Sequence, residues 1–98
     1  MATFISLVSW TDQGVRDYQD TTARARAFAA AAEALGAKLR EMYWTVGPYD
    51  MVVVVDAPDD ETATAVLLQV SGVGNVRTVS MRAYDAAEMD AIIAKATG

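Results

Sequence analysis

The stretch Tyr43–Asp56, YWTVGPYDMVVVVD, limits what this chain can become more than any other. Met51 to Val55 is a short, unbroken apolar run rich in β-branched valine. Such a run suits a strand rather than a helix, and a strand buried on both faces. Gly47 and Pro48 cannot continue a central strand, so they mark a turn between this run and the strand-like residues before it. Asp50 and Asp56 bracket the run and set its ends. A central strand with two buried faces needs covering material on both sides, and the rest of the chain must supply it.

Taken in order, Thr3–Trp10 alternates as a first strand, with Phe4, Ser6, Val8 and Trp10 on one face and Thr3, Ile5, Leu7 and Ser9 on the other. Thr11–Asp20 is polar and reads as a loop with one helical turn around Val15–Tyr18. Thr21 or Thr22 can cap the alanine-rich helix that follows, which runs to Leu35 and stops at Gly36. Phe28, Ala31, Ala32 and Leu35 form its apolar stripe. Lys38–Val46 is the second strand and Met51–Val55 the third. Pro58 and the acids Asp59, Asp60 and Glu61 start a second helix with the stripe Ala63, Val66, Leu67, Val70, ended by Gly72 and Gly74. Asn75–Ala83 is the fourth strand. Asp85 with Glu88 three residues later predicts a capping box for a last helix, striped by Met89, Ile92, Ile93 and Ala96.

The order is β-α-β-β-α-β plus a C-terminal helix. It predicts one domain over residues 1–98 of the α+β class: a ferredoxin-like four-stranded antiparallel sheet with both crossover helices on one face. Those helices leave the other face bare. Four strands expose apolar surface there on the order of several hundred Å2, more than monomers usually tolerate. The expectation is a homodimer, or a higher homo-oligomer, whose sheets enclose a barrel-like interior. The C-terminal helix is the competing cover. On the premise that the helix-covered face is the more apolar one, Ile5, Leu7, Met42, Trp44, Val79 and Met81 belong to it. The open face then holds Phe4, Ser6, Val8, Trp10, Glu41, Tyr43, Thr45, Thr78, Ser80 and Arg82; a one-residue slip would exchange the two sets.

Composition narrows the function. A net charge of −5 works against nucleic-acid or anionic-membrane partners, which depend on positive charge. The chain has no cysteine and no histidine. It therefore has no disulfide frame or thiolate chemistry, and it lacks the commonest metal ligand and general base. No metal or cofactor is expected. The first ten residues lack a basic segment and alternate like a strand, and no run approaches a membrane span, so a cytoplasmic protein is expected.

The segment YWTVGPYDMVVVVDAPDD, with GNVRT, Arg82-Ala83, the TDQG of Thr11–Gly14 and the helix start around Arg24, resembles the GYD-domain family. The Gly-Tyr-Asp signature appears here as Gly47, Tyr49 and Asp50, with Pro48 interposed, and the resemblance spans Thr3 to about Tyr84. It implies a dimeric α+β barrel and a bacterial setting. It implies no settled activity. The wider barrel group includes cofactor-independent monooxygenases, cyclases and haem enzymes; haem versions and many cyclases lean on a histidine, which is absent here.

The candidate ligand-binding residues are Trp10, Tyr43, Tyr49, Asp50 and Arg82; no catalytic residue is assigned. Tyr49-Asp50 either orients a ligand at the barrel mouth or is structural, with Asp50 capping turn amides and Tyr49 packed on the hairpin; the structural reading ranks first. Asn75 and Arg77 either bind an anion, or Asn75 makes a left-handed turn and Arg77 pairs with a carboxylate at a dimer edge. Glu41 and Arg82 can pair across the interface. Asp59, Asp60 and Glu61 read as helix caps before they read as a metal site. Three functions stay open: a dimer binding a small, partly apolar molecule between its sheets, a cofactor-independent enzyme on an aromatic or polyketide-like substrate, and a structural or regulatory oligomer.

Overall fold

The hairpin forms where Gly47 and Pro48 place it, and a computed structural model describes the whole chain around it, Met1 to Gly98. The strands are β1 (Ala2–Trp10), β2 (Lys38–Trp44), β3 (Met51–Ala57) and β4 (Val76–Ala83). The helices are α1 (Asp12–Arg16), α2 (Thr21–Ala34), α3 (Asp60–Val73) and α4 (Ala86–Thr97). The strands make one antiparallel sheet in the order β2-β3-β1-β4, the ferredoxin-like arrangement. Both long helices, α2 and α3, lie on one face.

Three helix ends follow the expected chemistry. Asp85 and Glu88 complete the capping box of α4. Asp59 caps α3 by accepting from the Thr62 N–H at 2.7 Å. Gly36, with φ +91°, follows α2 in the left-handed conformation. Others differ. Asp20 occupies the cap position of α2 without a side-chain bond; Thr21 is already helical, and its hydroxyl instead accepts from Trp44 Nε1 at 3.0 Å. Gly72 lies inside α3, and Gly74 alone makes the left-handed stop expected of Asn75. The turn after β1 comes early, as α1, followed by a 3-10 turn at Tyr18–Asp20. β2 ends at Trp44, and Val46 is fully exposed.

The core is the layer between the sheet and α2/α3. Met51, Val53, Val55 and Ala57 from β3 meet Val8, Ala32, Ala37, Ala63 and Val66. Small side chains from both helices let them approach the sheet closely. The residues Val52, Val54 and Asp56, alternate to these in β3, are only half-buried, so a single chain covers one face of its central strand and not two.

The strand register corrects the expected faces of β1 and β4. Phe4, Ser6, Val8 and Trp10 pair with Val55, Val53, Met51 and Val76 and face the helices, together with Thr78, Ser80 and Arg82. Ser6 is buried, and its hydroxyl shares a 2.7 Å hydrogen bond with that of Ser80. Paired hydroxyls make the less apolar set tolerable under the helices. Ile5, Leu7, Val79 and Met81 lie on the open face. β2 keeps its expected sides, with Met42 and Trp44 under the helices and Glu41 and Tyr43 open. A bulge between Leu39 and Glu41 moves Leu39 to the covered side.

α4 contributes no buried residue. Val79 and Met81 on the open face are 51% and 45% exposed, so α4 does not serve as that face's cover. No helix is long and apolar enough to cross a membrane.

Candidate functional site

One end of the sheet gathers most of the polar groups that hold loops together. Thr11, directly after β1, caps α1 by accepting from the Gly14 N–H at 3.1 Å. The same hydroxyl donates to the Gly74 carbonyl at 2.6 Å, and the Thr11 N–H donates to the Asn75 carbonyl at 3.1 Å. Gln13 Nε2 donates to the Val73 carbonyl at 3.1 Å and to Asn75 Oδ1 at 3.0 Å. The segment 11–14 therefore clamps the α3–β4 turn. Only glycine fits at 14, because a Cβ there would meet the Asn75 carbonyl oxygen at 1.9 Å.

Arg24 closes the clamp from α2. Its guanidinium donates to the Gly14 carbonyl at 3.0 Å and the Asp17 carbonyl at 2.9 Å. A cation near a helix N-terminus opposes the helix dipole, and these two carbonyls compensate it. The ion pairs of the fold are Arg40–Asp56 at 3.5 Å and Arg82–Glu88 at 3.9 Å; neither involves Arg24.

Asp50 fastens the hairpin to the same end. Its carboxylate accepts the Trp10 N–H at 2.8 Å, its own N–H donates to the Val8 carbonyl at 2.8 Å, and its carbonyl accepts from the Thr45 N–H at 2.8 Å. The Tyr49 carbonyl accepts from the Thr45 hydroxyl at 2.6 Å. The Asp50 carboxylate thus holds β1, not the turn amides that the structural reading assigned to it.

Two concavities adjoin this end. A cavity of about 70 Å3 lies between sheet and helices, with Ser6, Trp10, Arg24, Phe28, Met42 and Val76 in its wall. A groove of about 450 Å3 runs between α2 and α3 and shares Arg24, Phe28, Val70 and Val76 with the cavity.

The five candidate residues do not form one site. Trp10 borders the inner cavity; Asp50 accepts the Trp10 N–H, but neither it nor Tyr49 is in the cavity wall. Tyr43 stands on the open face, 58% exposed. Arg82 lies toward the other end of β4, where its guanidinium is 4.4 Å from the Tyr84 ring centroid and 5.7 Å from that of Phe4. It also donates to the Thr3 and Ala83 carbonyls. Glu41 and Arg82 sit on the two opposite edge strands and on opposite faces; within the chain Arg82 pairs with Glu88 instead. Arg24 and Gln13 were not among the candidates; Asn75 was weighed only beside Arg77, as an anion site or a left-handed turn. The one local signal was the arginine placed against the dipole of its own helix. Asp59 is held below the usual carboxylate range by the Thr62 backbone N–H it accepts, with a further contribution from the Thr62 side chain.

A family model described as the GYD domain matches residues 4–93. A curated relative, the glutamine synthetase and cystathionine beta-lyase binding protein of Thermus thermophilus, is 32% identical over 90 residues, covering 91% of this chain and 95% of the relative. Among solved structures, the crystal structure of TTHA0845, also from Thermus thermophilus, superposes with a TM-score of 0.58 at 27% identity, over 88% of this chain and 96% of that one.

Proposed function

Because this chain belongs to the GYD-domain family, we propose that it is a small homodimeric binding protein that pairs through the open face of its sheet and works by engaging other proteins. The observation that carries the reading is the character of that face. Ile5 and Leu7 of β1 and Val52 and Val54 of β3 occupy its middle, flanked by Val79 and Met81 of β4. Glu41 and Tyr43 lie toward one edge and Arg77 toward the other. Asp56 is tied to Thr3 at 2.7 Å and Arg40 at 3.5 Å near one end. An aliphatic centre with a polar margin is the anatomy of a protein interface. A second copy, sheet against sheet, would bury an area on the order of a standard interface.

Pairing of this kind favours a dry contact over a ligand chamber. Of the five candidate residues only Tyr43 stands on this face, and the central aliphatic side chains offer no polar group to orient a small molecule. The enzyme alternative loses its assembled acid and base, since the Asp50 carboxylate is engaged by the Trp10 N–H while Tyr43 sits on the open side. The relative named for binding glutamine synthetase and cystathionine beta-lyase supports proteins as the partner class.

Light scattering on the purified chain tests the pairing, with twice the chain mass expected; a single-chain mass at high concentration ends the pairing hypothesis. Capture of purified glutamine synthetase or cystathionine beta-lyase by the immobilised protein tests the partner class. A dimer that captures neither enzyme leaves the pairing standing and removes these two partners.

A further inference from the structure

The groove between α2 and α3 is on the opposite side of the molecule from the open sheet face, and the proposed pairing leaves it free. Its walls are Phe28 and Ala31 from α2 and Val66, Val70 and Val73 from α3, with Val76 beside them. At about 450 Å3 it falls within the size range of small-molecule pockets, which combine an apolar body with a few placed polar groups.

Arg24 and Asn75 are such polar groups, and both are donors. Two of the five guanidinium N–H groups of Arg24 go to the carbonyls of Gly14 and Asp17. Those acceptors are neutral, and Arg24 has no carboxylate partner, although the chain is acidic overall. Gln13 Nε2 donates to Asn75 Oδ1. That bond occupies the oxygen of the Asn75 amide and leaves its NH2 as the free group. An apolar groove that offers a guanidinium with no carboxylate partner and an amide NH2 is complementary to an anion carrying an apolar tail.

We propose that this groove is a binding site for a small aliphatic or aromatic carboxylate, its carboxylate against Arg24 and Asn75 and its hydrocarbon between α2 and α3. The assignment rests on Arg24, Asn75 and the groove walls, and does not depend on sheet-to-sheet pairing.

Titration calorimetry of the full chain with sodium octanoate and with 1-octanol, alongside amide chemical-shift mapping, tests it. Octanoate is expected to saturate one site per chain and to bind at least about 10-fold tighter than octanol, the value of one charge-assisted contact. The shifts are expected at Phe28, Val70 and Asn75. Arg24→Gln should bring the two affinities together. Because Arg24 also holds α1, Ala31→Trp provides a second variant: it fills the groove without touching the clamp and should weaken octanoate at least about 10-fold. Equal binding of octanoate and octanol by the unaltered protein overturns the proposal, as does undiminished octanoate binding by Ala31→Trp. Shifts confined to the open sheet face also overturn it. If Ala31→Trp changes the mass in solution and leaves octanoate binding intact, a second copy occupies the groove and the carboxylate site is wrong.

Discussion

The carbonyl oxygen of Asn75 stands 1.9 Å from the point where a Cβ on Gly14 would begin. The oxygen is a backbone atom, and the segments carrying Gly14 and Asn75 are already tied by the Thr11 bonds to Gly74 and Asn75, so neither side yields cheaply. Gly14→Ala should destabilise the fold by about 1–3 kcal/mol, the cost of forcing extra volume into a packed site. Gly72 is the internal control. It lies within α3 with open space where its Cβ would stand, so Gly72→Ala should be neutral or stabilise by up to about 1 kcal/mol. Urea unfolding of the two variants against the parent checks both signs.

Asp50 joins the hairpin to β1 through its carboxylate bond to the Trp10 N–H. Asp50→Ala leaves that amide without its partner and should cost about 1–3 kcal/mol. Asp50→Asn keeps an acceptor oxygen and should cost less than half as much. Equal losses in the two variants, measured by urea unfolding, would mean that charge rather than hydrogen bonding matters at this position.

The elements of the fold were legible because their signals are local. Gly-Pro at the hairpin, acids before α3 and the Asp85/Glu88 spacing each act within one turn of chain. The faces of the sheet were only partly legible. Met42 and Trp44 face the helices as expected, but β1 and β4 are reversed, because Phe4, Ser6, Val8, Trp10 and Thr3, Ile5, Leu7, Ser9 differ little in apolarity. The premise that the more apolar set lies under the helices fails when Ser6 can pair with Ser80 and the aliphatic set faces outward. The bulge at Arg40 carries no sequence mark. Contacts such as Arg24 to Gly14 or Thr11 to Gly74 join segments far apart or across a turn, and no periodicity reports them. Thr11–Gly14 and Arg24 were visible as parts of the family resemblance, and Asn75 also as a turn or anion residue, without the network they form.

Asp59 gives the fold a pH dependence whose sign is fixed by its depressed pKa. A carboxyl with a folded pKa below its unfolded value stabilises the folded state above the unfolded value, here near 3.8. That contribution disappears as pH falls through the folded pKa. Asp59→Ala should therefore be less stable than the parent at neutral pH, and the gap should narrow as the pH is taken below 3.8. Urea midpoints for both proteins from about pH 7 to about pH 2 check this; a gap that stays constant over the range would remove the charge of Asp59 from the stability of α3.

Sheet-to-sheet pairing makes a sharper demand on Val54 than on Met89. Val54 lies at the middle of the open face, opposite Ile5 in the register, and is half-buried within its own chain. A carboxylate there would be desolvated without a partner in the dimer, whereas in a single chain its head can reach water. Val54→Asp should therefore convert the dimer to a folded single chain, with its far-ultraviolet circular dichroism retained. Met89 is 46% exposed on α4, away from that centre, and Met89→Asp should leave the mass unchanged. The opposite pattern, with Met89→Asp splitting the assembly and Val54→Asp leaving it whole, would transfer the interface to the apolar stripe of α4 and leave the open sheet face without a role in pairing.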